Sequence, residues 1–392
     1  MSFSTSEISK LAGTTVSCAC GHTHSVPIRH IFTGTGVLRG LAEILAPFAK
    51  KTVFLVGDAT TMALGRDAVL PYLAEVGCMV KEHTFPCAPG THLVTDEALI
   101  GSLLAHLPQE TELIIAIGSG TMNDTARVVA ARCRIPYFII ATAPSMDGYA
   151  SSTSAVVMDG GKKSLPLISP YAVVADTELV KTAPDVMLAA GAADILGKYV
   201  AVRDWRLASR ETGEPYCPEI AARVLLTADR CALALPTLFD RDEKTLGGMM
   251  DSLIMAGVAI SMYGTSRPAA GLEHQIAHAW EVAAIRTGET AFLHGNYVGL
   301  GTLAACRLYE LASAEFSLPA ADEMPAFEAM RGYIGQLRGY ADIDTLHIQK
   351  DTFREGILHA ALPEIRYTLA SFLRQQGKIT QYADRVTEEF FR

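Results

Sequence analysis

Three short runs of apolar, mostly β-branched residues, each ending in glycine or small polar residues, constrain the fold of this chain most. Thr52-Val-Phe-Leu-Val56 leads into Gly57-Asp58, Leu113-Ile-Ile-Ala-Ile117 into Gly118-Ser119-Gly120, and Tyr137-Phe-Ile-Ile-Ala141 into Thr142-Ala143-Pro144-Ser145. A strand that is apolar on both faces must be covered on both, the condition of a parallel sheet between two layers of helices. Amphipathic stretches separate the runs, so the first part of the chain predicts an α/β, Rossmann-like domain. Doubly wound sheets bind ligands at the carboxyl ends of their strands, where these glycines lie. Asp159-Gly-Gly-Lys162, between two β-rich runs, predicts a hairpin turn inserted into that domain.

After Thr182-Ala-Pro-Asp185 the texture changes to long helical periodicities. Thr182 is a candidate helix cap and Pro184 suits a first helical turn. The boundary is set there: residues 1–181 as an α/β domain, 182–392 as an all-helical domain. A chain of 392 residues supports two full cores, and 49% hydrophobic against 19% charged residues excludes a disordered one. The mean hydropathy of +0.23 raises the question of a membrane. The apolar stretch from Ser252 to Tyr263, bounded by Asp251 and Arg267, reads as too short for a span. No basic start precedes an apolar run at the amino terminus, so no secretory signal is expected. Eight scattered cysteines fit a reducing cytoplasm better than a disulfide framework. A net charge of -9 argues against nucleic acid. A small phosphorylated ligand would then need local positive potential, for which Lys162, Lys163 and Arg267 are candidates, though singly each reads as a solvated surface charge.

Gly118-Ser119-Gly120-Thr121-Met122-Asn-Asp124 joins a buried strand to a helix expected to begin near Asn123. Such a turn lets a pyrophosphate approach the backbone and meet helix amides, but a tight capped turn has the same composition. Asp58 is either an acceptor for an adenosine ribose, which would favour NAD over NADP, or a turn aspartate beside glycine. Asp194, His274 and His294 form a carboxylate-imidazole set that leaves an open position on a divalent metal; buried, hydrogen-bonded polar residues remain the alternative. His274 and His278 lie four apart on one helical face, as do Asp194 and Lys198. His294 precedes Gly295, Gly299 and Gly301, which suggests a loop entering a closely packed helix. Cys18-Ala-Cys20-Gly-His22-Thr-His24 offers zinc ligands, yet strand alternation would divide them between faces, and a small exposed hairpin is the preferred account.

The succession Gly118-Ser-Gly-Thr-Met-Asn-Asp, Thr142-Ala-Pro-Ser-Met-Asp147-Gly-Tyr-Ala-Ser151, Asp194, His274-Gln-Ile-Ala-His278 and His294-Gly resembles the sn-glycerol-1-phosphate dehydrogenases. These belong to the iron-containing alcohol dehydrogenase and dehydroquinate synthase-like superfamily, and the likeness is to the bacterial, arabinose-operon-associated type. The resemblance implies a dinucleotide-binding α/β domain, a helical domain and an active site in the cleft. It implies cofactor contacts from Asp58, Gly118, Ser119, Gly120, Thr121, Met122, Thr142, Ala143, Pro144, Ser145 and Ser151. It implies metal ligation, zinc or nickel, by Asp194, His274 and His294, and substrate contacts from Asp147 and His278. Lys198 stands where iron-type members place another histidine, which leaves a cation to meet a phosphate; Leu272 stands where many members have serine. The implied reaction is reversible hydride transfer between NAD(P)H and dihydroxyacetone phosphate, giving sn-glycerol 1-phosphate. Asp194, His278 and Asp147 are its expected catalytic residues, and a homo-oligomer is expected. The rivals are a polyol dehydrogenase with the same metal site and no phosphate pocket, and a dehydroquinate synthase-like lyase.

Overall fold

In the computed structural model, residues 7–87, 93–287, 292–319, 323–362 and 366–392 are described. Two compact units result, one of residues 1–184 with 237–265, the other of 185–236 with 266–392.

The first unit opens with a hairpin of β1 (Thr15–Ser17) and β2 (Thr23–Ser25). Strands β3 (His30–Gly34), β4 (Thr52–Asp58), β5 (Met79–Phe85), β6 (Leu113–Gly118) and β7 (Tyr137–Ala141) follow. The antiparallel pair β8 (Thr153–Met158) and β9 (Gly161–Pro166) precedes β10 (Ala172–Asp176). Six of these form one parallel sheet in the order β3-β10-β7-β6-β4-β5. The three apolar runs are interior strands, buried along nearly their whole length. Three members have weaker sequence patterns: β3 alternates, β10 is short, and β5 is an edge strand with Lys81 and Glu82 exposed.

Helices α1 (Leu41–Leu45), α2 (Ala59–Glu75), α3 (Glu97–His106) and α4 (Gly120–Cys133) fill the connections. Val53, Leu55, Ile115, Ile117 and Phe138 pack with Met62, Val69 and Leu73 of α2 in one buried cluster. Each such side chain contributes about 1.5–3 kcal/mol on burial. The chain runs from β4 outward to β5 and then returns to place β6 on the other side of β4. That reversal makes the carboxyl ends of β4 and β6 a topological switch point. The Asp159-Gly160 turn has both residues at positive φ, 52° and 70°, as a two-residue hairpin requires.

After α5 (Thr177–Val180), the second unit is helical among its described residues: α6 (Asp185–Leu196), α7 (Lys198–Thr212) and α8 (Pro218–Ala234) come first. The chain then gives α9 (Glu243–Tyr263) to the first unit. It continues with α10 (Leu272–Thr287), α11 (His294–Ser313), α12 (Phe327–Gly335), α13 (Lys350–His359), α14 (Leu369–Gln375) and α15 (Ile379–Phe390). Thr182 does not cap α6; its hydroxyl donates back to Leu179 O (2.8 Å).

Helix α9 corrects the length argument made from Ser252–Tyr263. It begins at Glu243 and spans 21 residues, enough by length and composition to cross a bilayer. Its apolar window is 67% buried inside the molecule, as befits a core helix. Gly257 allows that packing, since a Cβ there would lie 2.6 Å from Asp147 O and 3.0 Å from Ser151 N.

Candidate active site

The strand ends of the first unit bring the glycine-rich turn and the Thr142–Ser151 segment together. Helix α4 starts at Gly120, three residues before the position expected, because Gly118 and Ser119 alone make the turn. A Cβ on Gly118 would fall 2.6 Å from Met122 Cβ, and one on Gly57 would fall 2.8 Å from Ile117 O. Ser119 places no side chain over the amides of α4, so the amino end of this helix keeps its donors and positive dipole at the switch point. Thr142 N donates to Gly118 O (3.1 Å), which sets the strand-end residues Thr142–Ser145 beside that turn. These features, two obligatory glycines and an uncapped helix start, fit a dinucleotide phosphate.

Asp58 caps α2: its Oδ1 accepts from Thr60 N (2.8 Å) and Thr61 N (2.9 Å). One of its oxygens is therefore used locally. Thr121 Oγ1 donates to Leu93 O (3.1 Å). Ser151, buried, accepts from Thr153 N (2.9 Å), and Asp147, half-buried, begins the turn Gly148–Ala150. The sequence reading missed Arg127, wholly buried on α4. It donates to Tyr137 Oη (2.8 Å), Asp124 Oδ1 (2.7 Å), Gly148 O (2.6 Å) and Tyr149 O (3.2 Å), fastening the segment that carries Asp147 and Ser151.

In the second unit, close helix contacts position the candidate metal ligands. A Cβ on Gly295 would lie 2.0 Å from Ala190 O, and one on Gly301 would lie 2.5 Å from Glu273 O. Only glycine lets α11 meet α6 and α10 so closely, and that approach brings His294 beside His274. His294 is the first residue of α11, not part of a preceding loop. His274 Nε2 is 3.4 Å from Asp194 Oδ1, and the His274 and His294 rings lie 5.2 Å apart between centroids. His278 joins them, 5.3 Å from His294 on the same measure.

Two carboxylates unremarked in the sequence orient this set. Glu273 Oε1 accepts from His274 Nδ1 (2.7 Å), and Glu281 Oε1 accepts from His294 Nδ1 (2.9 Å). Both are buried. A carboxylate on Nδ1 fixes the tautomer that leaves Nε2 with its lone pair, the form a metal needs. Asp204 supports the start of α10: its Oδ2 accepts from Leu272 N (2.6 Å) and its Oδ1 from Tyr309 Oη (2.7 Å) and Leu369 N (2.8 Å). Burial, with Glu273 nearby, pushes Asp204 up to about 6.

Lys198 is wholly buried with its Nζ 2.7 Å from Asp194 Oδ1, so it is not the free cation expected. Burial alone would raise the Asp194 carboxyl; Lys198 first, then His274, outweigh it and hold Asp194 well below the usual carboxylate range. Burial and Lys198 press the His274 imidazole down, while bonds with Asp194 and Glu273 hold it up at about 9. A metal would replace that proton on Nε2. Arg267 is no surface charge. It is buried, donates to Tyr367 O (2.9 Å) and pairs with Glu214 (2.9 Å). Lys163 pairs with Asp159 across the β8–β9 turn.

The carboxylate, the imidazoles and the carboxylates behind them fit a divalent metal with a position left for substrate. Residues 32–184 match the family model described as iron-containing alcohol dehydrogenase. A glycerol-1-phosphate dehydrogenase of Halalkalibacterium halodurans is 32% identical over 75% of this chain and 74% of its own length. One from Bacillus velezensis is 31% identical over 90% and 93%. The crystal structure of a probable glycerol dehydrogenase from Sinorhizobium meliloti superposes with a TM-score of 0.69 over 91% of this chain and 96% of that one; at 18% identity this speaks for the fold alone. Identity above 30% across both units carries the assignment further: the chain belongs to the glycerol-1-phosphate dehydrogenase family, within the iron-containing alcohol dehydrogenases.

Proposed function

We propose that this protein reduces dihydroxyacetone phosphate reversibly to sn-glycerol 1-phosphate with NAD(P)H and a divalent metal. The observation that carries the reading is the convergence of His274 and Asp194, with His294 beside them and a buried carboxylate behind each imidazole. The first unit binds the nicotinamide cofactor and the second binds metal and substrate.

Asp194, His274 and His294 would hold a divalent metal, zinc or nickel, which would supply Lewis acidity toward the C2 carbonyl oxygen. Reduced nicotinamide bound to the first unit would supply the hydride. Glu273 and Glu281 hold the hydrogen on Nδ1 of their histidines and aim the rings, so that Nε2 is the atom a metal would take once it displaces the proton there. Gly118 to Met122 and Thr142 to Ser145 bind the dinucleotide through backbone donors and small side chains, with Ser151 completing the set. Asp58 favours NAD, since its charge repels a 2′-phosphate. Asp147 and His278 hold the substrate hydroxyls, and His278, half-buried beside His294, relays the proton to or from C2 oxygen. Lys198 is our first choice for the phosphate on the reading that a metal taking the Asp194 carboxylate would release its Nζ from that bond, with Lys162 and Lys163 as further cations. Arg267 is assigned to scaffolding.

NADH oxidation with dihydroxyacetone phosphate and with dihydroxyacetone tests the substrate. Two charge-assisted contacts of roughly 1.5–3 kcal/mol each separate the ketones by about two to four orders of magnitude in kcat/KM. Equal turnover of the two would replace this reading with a polyol dehydrogenase.

A further inference from the structure

We propose that Cys18, Cys20 and His24 bind one zinc ion in a structural site of the amino-terminal hairpin, distinct from the Asp194 centre. The sequence objection, that strand alternation separates these residues, does not apply. Cys18 and Cys20 lie in the turn between β1 and β2 and not on either strand. Cys18 N donates to His22 O (2.9 Å) and Gly21 N to Cys18 O (3.0 Å), with Gly21 at φ +85° closing the turn. One ligand atom from each of Cys18, Cys20 and His24 lies within 4.8 Å of the others, and Cys20 Sγ is 3.3 Å from His24 Nε2. Tetrahedral bonds of about 2.0–2.3 Å set neighbouring ligand atoms about 3.5 Å apart, so small side-chain adjustments suffice.

The histidine is already in the right form. Its Nδ1 is 3.1 Å from Met262 O, and a carbonyl can only accept, so Nδ1 carries the hydrogen and Nε2 presents a lone pair to the thiols. The hairpin has little apolar support of its own. No residue of β1 is buried, Val16 is 50% exposed, and His24 is the one buried residue of β2. Two three-residue strands with no apolar face are marginal in water, whereas metal ligation contributes folding free energy directly. Thiolate and imidazole donors select zinc over calcium or magnesium. Binding releases the two thiol protons and involves no redox change; a further donor, water included, completes the tetrahedron.

The test uses full-length protein, alkylated with iodoacetamide as zinc-loaded, chelated and zinc-restored samples, then mapped by peptide mass. Cys18 and Cys20 are expected to be protected with zinc, modified after chelation and protected again on restoration. Zinc content should fall by one equivalent per chain in Cys20→Ser. In His274→Ala, protection of Cys18 and Cys20 should persist, which separates this site from the active centre. If Cys20→Ser does not fold, cobalt-loaded wild type decides. A thiolate-to-cobalt charge-transfer band should appear, one that the Asp194 site, without thiolates, cannot give, and Cys18 and Cys20 should become protected in step with it. Equal alkylation of Cys18 and Cys20 with and without zinc would overturn the proposal, as would protection removed by reductant and not by chelator, the mark of a disulfide.

Discussion

The strand ends of the first unit and the helix faces of the second build their candidate sites from different material. At the switch point between β4 and β6 the chain offers backbone: two glycines without room for a Cβ and a helix start that Ser119 does not cap. Around Asp194 it offers side chains, each fixed by another: Glu273 on His274, Glu281 on His294, Lys198 on Asp194. Backbone donors suit an extended polyphosphate that needs many moderate contacts. A metal needs a few donors of fixed identity and protonation, which only supported side chains provide. Damage should therefore differ in kind: steric changes in the first unit weaken cofactor binding, while changes in the second remove the metal.

The largest effect is expected from Gly295→Ala. The added methyl would lie 2.0 Å from Ala190 O, so α11 must withdraw from α6 and take His294 with it. Misplacement of about 1 Å costs about 100-fold in rate, and metal content should fall in parallel, read by elemental analysis. Unchanged metal content would break the claim that this contact places the ligand. Glu281→Gln comes next. Loss of the carboxylate on His294 Nδ1 should weaken metal affinity by about 10–100-fold, with turnover largely recovered at saturating metal. Recovery at low metal would make Glu281 a packing residue only.

Gly118→Ala sharpens the contrast from the other side. Crowding of about 1–3 kcal/mol against Met122 should raise the KM for NADH by about tenfold or more and leave metal content intact. The smallest effect is the preference for NAD over NADP, about tenfold if the Asp58 carboxylate repels a 2′-phosphate. Asp58→Ala should erase it. Because Asp58 Oδ1 also caps α2, the same variant should lose about 1 kcal/mol of stability by thermal unfolding.

The two regions were also unequally legible. Continuous apolar runs mark β4, β6 and β7 because interior parallel strands must be apolar on both faces. The edge strand β5 escapes notice because one side meets water, and its Lys81 and Glu82 follow no core pattern. Asp194, His274 and His294 can be named from the sequence, but their support cannot. Glu281 lies 13 residues from His294, and only the folded helices join them. Lys198 and Arg267 show the converse. As sequence they read as available cations; in the fold each is buried against a carboxylate, Asp194 and Glu214. The turn at Cys18 and Cys20 escapes because strand parity holds only on strands.

The central claim is that a metal at Asp194, His274 and His294 is required for reduction of dihydroxyacetone phosphate. It is tested most directly by measuring bound metal and NADH oxidation in the same samples of wild type, as purified, chelated and reloaded, and of His274→Ala. The account predicts that turnover disappears on chelation and returns on reloading. It predicts that His274→Ala loses metal and turnover together while remaining folded. Full turnover in the chelated sample, or in His274→Ala stripped of its metal, would contradict it.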